Sequence, residues 1–155
     1  MEILEIKNRS GYFADVHPAN TFDMKIGDDV LKNCYFYLSR PYAPLNKHLK
    51  IELIYKTFSK NKGDYVCESI TLTEQFDSLI YSRQWNIWTC AYVNVDSYRW
   101  ASKMIEELKI GKCLGDREMK DCERYLLFGF NLEKLKKYSR WFDERKVFGK
   151  ESYVV

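Results

Sequence analysis

The sequence predicts an α+β fold: one domain, mostly antiparallel sheet built from an N-terminal hairpin and a meander, with about three helices packed mainly on one face. Three observations carry this expectation. Within residues 33–39 and 49–56 apolar and polar residues alternate at every second position, the period of a half-buried strand, with a loop marked by Pro41 and Pro44 between them. Beyond 73 the apolar spacing changes to three and four, the period of a helix face. Short polar turns join the early segments, and such turns connect only antiparallel neighbours. No repeat, linker or low-complexity stretch divides the chain, so residues 1–155 read as a single globular domain.

The elements follow in order. Ile3, Leu4 and Ile6 precede the turn-forming Asn8-Arg9-Ser10-Gly11, and residues 12–16 would return as the second strand of a hairpin. Residues 19–32 show no clear pattern beyond a turn at Gly27-Asp28-Asp29. Cys34, Phe36 and Leu38 then alternate with Tyr35, Tyr37 and Ser39, and Leu49, Ile51, Leu53 and Tyr55 alternate with Lys50, Glu52 and Lys56. A polar turn at residues 60–64 leads into a third strand over 65–72, completing the meander. Thr73 is placed to cap a short helix with Phe76, Leu79 and Ile80 on one face. Residues 87–95 are nearly all apolar, as in a strand covered on both sides. Asp96 would cap a second helix bearing Tyr98, Ala101, Met104, Ile105 and Leu108, ended by Gly111. Residues 125–130 read as a buried strand or as a helix ending at Gly129. Asn131 caps a last helix that turns Leu132, Leu135, Tyr138 and Phe142 inward.

Composition narrows the class. Apolar residues make up 46% and charged residues 30%, which excludes a disordered tail. The longest apolar run tested, residues 125–130, is far short of the ~20 residues a spanning helix needs. Two carboxylates in the first five residues do not suit a secretory signal, so the expected location is cytoplasmic, with no membrane partner. Five cysteines at wide spacing, without a Cys-x-x-Cys, are expected as free and mostly buried thiols rather than zinc ligands. No metal or other cofactor is expected.

Catalytic patterns are weak. Metal-dependent nucleases place carboxylates and a lysine at alternating strand positions, where the acids hold the cation and the lysine orients the attacking water. Acid-x-Lys triplets include those ending at Lys7, Lys25 and Lys120, and chance alone supplies about two to three in a chain this charged. Asp116, Glu118 and Lys120 form the best trio, in a polar stretch whose secondary structure is ambiguous. The two histidines, His17 and His48, offer a cysteine or serine nucleophile no recognisable base. Gly111 and Gly115 lack the spacing of a phosphate loop.

Binding signals are stronger. Residues 131–150 carry a net charge of +4, leaving −1 for the rest of the chain. On the last helix Lys134, Lys136, Lys137 and Arg140 can face solvent and track phosphates. Aromatic residues reach 16%, twelve of them tyrosines, whose hydroxyls need partners when buried. With Cys34, Phe36 and Leu38 inward, Tyr35 and Tyr37 must point outward beside Lys50, Glu52 and Lys56. Together with Trp85 they are the expected anchors of a protein interface. The functional expectation is therefore a small protein-binding domain that occludes a partner's surface, the profile of toxin-immunity proteins and phage-encoded inhibitors. A nucleic-acid-binding domain built on the basic C-terminal helix is the alternative, and metal-dependent hydrolysis at Asp116 and Glu118 the third reading.

Overall fold

A computed structural model describes residues 4–10, 20–39, 49–76 and 90–141 of the chain, with backbone alone at 8–10 and 141. Among them are ten strands and two short helices. Phe22, Met24 and Ile26 alternate with Thr21, Asp23 and Lys25, and this period-two run forms β2 (Asn20–Ile26). It pairs antiparallel with β1 (Leu4–Ser10) on one side and β3 (Asp29–Ser39) on the other. The β2–β3 hairpin turns through Gly27 and Asp28, with Gly27 at φ 61, a backbone state open to glycine without cost. The meander continues through β4 (Lys50–Ser59) and β5 (Asp64–Thr71), giving the sheet order β1-β2-β3-β4-β5.

At Leu72 the chain leaves this sheet and enters a second one. Leu72 donates its amide to the Ile51 carbonyl (2.9 Å) and accepts from the Asn94 amide (2.8 Å), so one residue belongs to both sheets. The second sheet has the order β6-β7-β9-β8, from β6 (Thr73–Glu74), β7 (Cys90–Asn94), β8 (Gly111–Lys120) and β9 (Glu123–Phe130). Phe22, Met24, Phe36, Leu38 and Leu53 of the first sheet share one core with Ala91, Val93, Phe128 and Phe130 of the second. Helix α1 (Ala101–Glu107) adds Met104 and Ile105 to this core, and α2 (Leu132–Lys137) adds Leu135. The far face of the smaller sheet is apolar too, where Cys90, Tyr92, Tyr125 and Leu127 are buried with Phe76 and Leu114 against them. Residues 90–95 are thus buried on both sides, as their continuous apolar run requires.

Several expectations are corrected. Among the described residues two helices, not about three, accompany the sheets, and neither lies on the outer side of the larger sheet, because the buried residues of both join the common core. The cap position expected at Thr73 is corrected, since Thr73–Glu74 forms β6, and the remainder of the expected helix, with Leu79 and Ile80, lies outside the described residues. The Thr73 hydroxyl accepts from the Ile51 amide (3.0 Å), a buried donor that would otherwise lack a partner, so a side chain suited to capping closes the sheet corner instead. The strand partner of β1 is β2 rather than residues 12–16, which lie outside the described residues, and Asn8-Arg9-Ser10 continues β1 because the pairing with β2 extends to Ser10. Asp96 does not cap α1; its carboxylate holds Arg124 instead, and the N-cap residue Trp100 makes no side-chain cap. The last helix stops at Lys137, and Ser139–Trp141 forms β10, a strand parallel to β3. Residues 123–130 are a strand. Cys34 and Cys90 are buried, but Cys67, Cys113 and Cys122 are exposed, so the free thiols are not mostly buried.

Helix α1 ends on Lys109 at φ 57. The Ile110 amide donates to the Ile105 carbonyl (3.2 Å) and the Lys109 amide to that of Glu106 (3.1 Å), a Schellman cap formed around a lysine where glycine is the unstrained choice. Lys109→Gly is expected to raise stability by about 0.5–1 kcal/mol, read as a higher urea midpoint at an unchanged slope.

Candidate functional site

The register of β3, β4, β5 and β10 sets out the outer face of the larger sheet row by row. Arg140 on β10 pairs with Tyr37 on β3, which pairs with Glu52 on β4, which pairs with Thr71 on β5. The next row is Tyr35, Ile54 and Ser69, and beyond a bulge at Asn33 come Lys32, Lys56 and Cys67. Phe58 and Tyr65 close the face at the β4–β5 hairpin. Directly paired residues share a face, so these side chains stand on one surface, opposite Phe36, Leu38, Ile51 and Leu53 in the core.

Phe58 and Tyr65 are the most open aromatic pair on this face, 53% and 45% exposed, with ring centroids 5.5 Å apart in an edge-to-face arrangement. The Lys32 ammonium lies 5.3 Å from the centre of the Tyr65 ring. Val30, 41% exposed, precedes Lys32 on the same strand. Tyr35 and Tyr37 are half-buried. Lys50 and Glu52 form an ion pair at 3.3 Å, whereas Lys56 and Arg140 have no ion pair among the described residues. The surface is aromatic and net positive.

Tyr35 and Tyr37 therefore take the outward positions expected of them. Arg140, expected on the basic helix, sits in β10 and is carried onto the tyrosine face. The alternation explains it: Ser139 is buried and Arg140 exposed, and the Phe36 amide donates to the Tyr138 carbonyl (2.8 Å), fixing the strand's entry. Lys134 and Lys137 remain exposed on α2, and Lys136 is half-buried. Trp85, His17 and His48 lie outside the described residues. Phe58 and Tyr65 escaped the sequence reading, although the turn at 60–64 flanked by Phe58 and Tyr65 is a hairpin signal that would have paired them across two strands.

Asp116, Glu118 and Lys120 lie on β8. Asp116 is exposed in the bulge between Cys113 and Arg117, where Gly115 takes φ 95. Glu118 pairs with Tyr125, and the Lys120 ammonium is held by Glu74 at 2.8 Å, which raises its pKa above the ordinary lysine value. That ion pair joins the two edge strands of the smaller sheet, so its lysine is committed to a structural partner. Among the described residues no three histidine, cysteine or acidic side chains gather where a metal ion could be held. Beside this ion pair is a polar network. Asn94 donates to Glu123 (3.3 Å) and to the Tyr125 hydroxyl (3.3 Å), and its carbonyl oxygen accepts from the Asp96 and Ser97 amides. The Ser97 hydroxyl also donates to Glu123. Asp96 accepts from the Arg124 amide (2.7 Å) and guanidinium (3.1 Å), and these bonds hold its carboxyl below the usual carboxylate range. Every group in this cluster is bonded within the turn that follows β7 or across from it to β9.

No family model, curated protein or solved structure matches the chain. No helix among the described residues is long and apolar enough to cross a membrane.

Proposed function

We propose that this chain is a protein-binding domain that presents the outer face of its larger sheet and acts by occluding the surface of a partner. The observation behind the reading is the meeting of Tyr35 and Tyr37 with Arg140 on one open sheet face. Tyrosine and arginine are the residue types that most often dominate binding energy at protein interfaces. Lys56 and Arg140, without ion pairs among the described residues, favour an acidic partner surface. Three exposed, unpaired thiols support a reducing compartment such as the cytoplasm.

A second reading has its own observation. Tyr35 and Tyr37 sit two residues apart on one strand, about 6.6 Å, with cations beside them, a layout on which unpaired bases can stack.

The test places a photo-crosslinking phenylalanine analogue at Tyr37 and, separately, at Met119, which is 58% exposed on the smaller sheet. One discrete protein adduct from position 37 and none from 119, in cells of the native host, is the expected result. Identical adducts from both positions, or none from 37, would sink the proposal. Nucleic acid captured from 37, with loss on raising salt, would establish the second reading instead.

A further inference from the structure

The edge of β5 is open in a regular way. Because the Leu72 amide bonds to the Ile51 carbonyl, the β4–β5 register makes Ile70, Glu68 and Val66 the residues whose backbone groups face β4. Thr71, Ser69, Cys67 and Tyr65 consequently aim their amides and carbonyls away from the sheet. Asp64 Oδ1 accepts from the Tyr65 amide (2.7 Å), and no other partner meets these groups among the described residues.

Natural edge strands are normally blunted by proline, lysine or a bulge. From Tyr65 to Thr71 there is no proline, lysine or arginine, and the pairing with β4 runs without a register shift. The outward side chains Tyr65, Cys67 and Ser69 are uncharged. We propose that this edge pairs antiparallel with the same edge of a second copy of the chain, with Cys67 facing its counterpart across the two-fold axis.

The register follows from Glu68, the one acid between Tyr65 and Thr71. Centring the pair on residue 68 would set Glu68 directly against its copy, a like-charge contact. Centring it on residue 67 sets Glu68 against Val66 of the second copy. It also pairs three of the four residues with outward backbone groups, Cys67 to Cys67 and Tyr65 to Ser69 twice, and leaves Thr71 beyond the contact. Four of the six bonds form without disturbing Asp64. The contact is a strand edge, small by interface standards, so the dimer is weak and concentration-dependent.

Sedimentation equilibrium over a thousandfold concentration range tests this, with the chain's mass expected to rise from one copy towards two. In a Cys113→Ser, Cys122→Ser background, diamide should link two Cys67 thiols. The sulfurs bond, and two electrons and two protons pass to diamide, which becomes its hydrazine. Paired residues of this type stand about 5.5 Å apart at Cα, within disulfide range. Ser69→Pro removes an outward amide and no ladder bond, and Cys67→Lys opposes two cations at the axis. Each should hold the protein as a monomer while leaving its circular dichroism unchanged. A mass of one copy at every concentration would overturn the proposal, as would a dimer that survives both substitutions.

Discussion

Replacing Gly111 by alanine is expected to destabilise the fold by about 3 kcal/mol. Gly111 opens β8 against Phe130 of β9, with α1 close by. A Cβ built there would lie 2.6 Å from the Gly129 carbonyl oxygen, 3.0 Å from the Phe130 ring and 3.3 Å from Ile105 Cγ2. The first of these is backbone within a hydrogen-bonded ladder and cannot swing aside, so the strand pair itself must separate. The φ of Gly111 is not in the left-handed region, so the requirement is for space rather than for backbone freedom. Urea denaturation should show a large fall in midpoint. At Gly115, where nothing lies within 4 Å of the added Cβ, any cost of alanine would come from its φ of 95 instead.

Truncating Phe22 to alanine is expected to cost about 4 kcal/mol, and Phe22→Leu about 1–2 kcal/mol. The Phe22 ring is fully buried, 5.6 Å from Phe36 and 5.7 Å, edge-on, from Tyr138. Tyr138 immediately precedes β10, so the loss is not confined to packing. With the ring gone, the support for Tyr138 weakens, and with it the strand that sets Arg140 beside Tyr37. The leucine variant should remain folded yet show faster hydrogen exchange at the Phe36 amide, which bonds to the Tyr138 carbonyl. Unchanged exchange there would separate the site from the core beneath it.

Strand alternation was the legible part of this molecule. Residues 33–39 and 49–56, the turn at 60–64 and the doubly buried run ending at Val95 all announce themselves through period and turn chemistry. So did the cap at Asn131, whose side chain accepts from the Lys134 amide (3.2 Å). β2 is equally written, in Phe22, Met24 and Ile26, but so short a run amid turn formers gives only a weak period-two signal. What eluded the sequence was tertiary choice. Thr73 and Asp96 carry capping side chains, and both were recruited to distant backbone amides, on Ile51 and Arg124. The face formed by the tyrosines with Arg140 was half visible. Alternation assigned the tyrosines their side, but no local pattern reveals that a helix will stop at Lys137 and hand three residues to β3. The β8–β9 hairpin was hidden for another reason: its turn uses Asp121 and Cys122 at φ 53 and 64, where glycine would have marked it.

The parallel seating of Ser139–Trp141 against Phe36–Leu38 joins segments a hundred positions apart. Closing so long a span is entropically expensive before it gains any contact, which places this step late in the folding sequence. A ribosome-bound chain can complete the meander while Arg140 is still unmade. The face that joins Arg140 to Tyr37 is therefore complete only when β10 docks, and binding through the face proposed above would report completed folding.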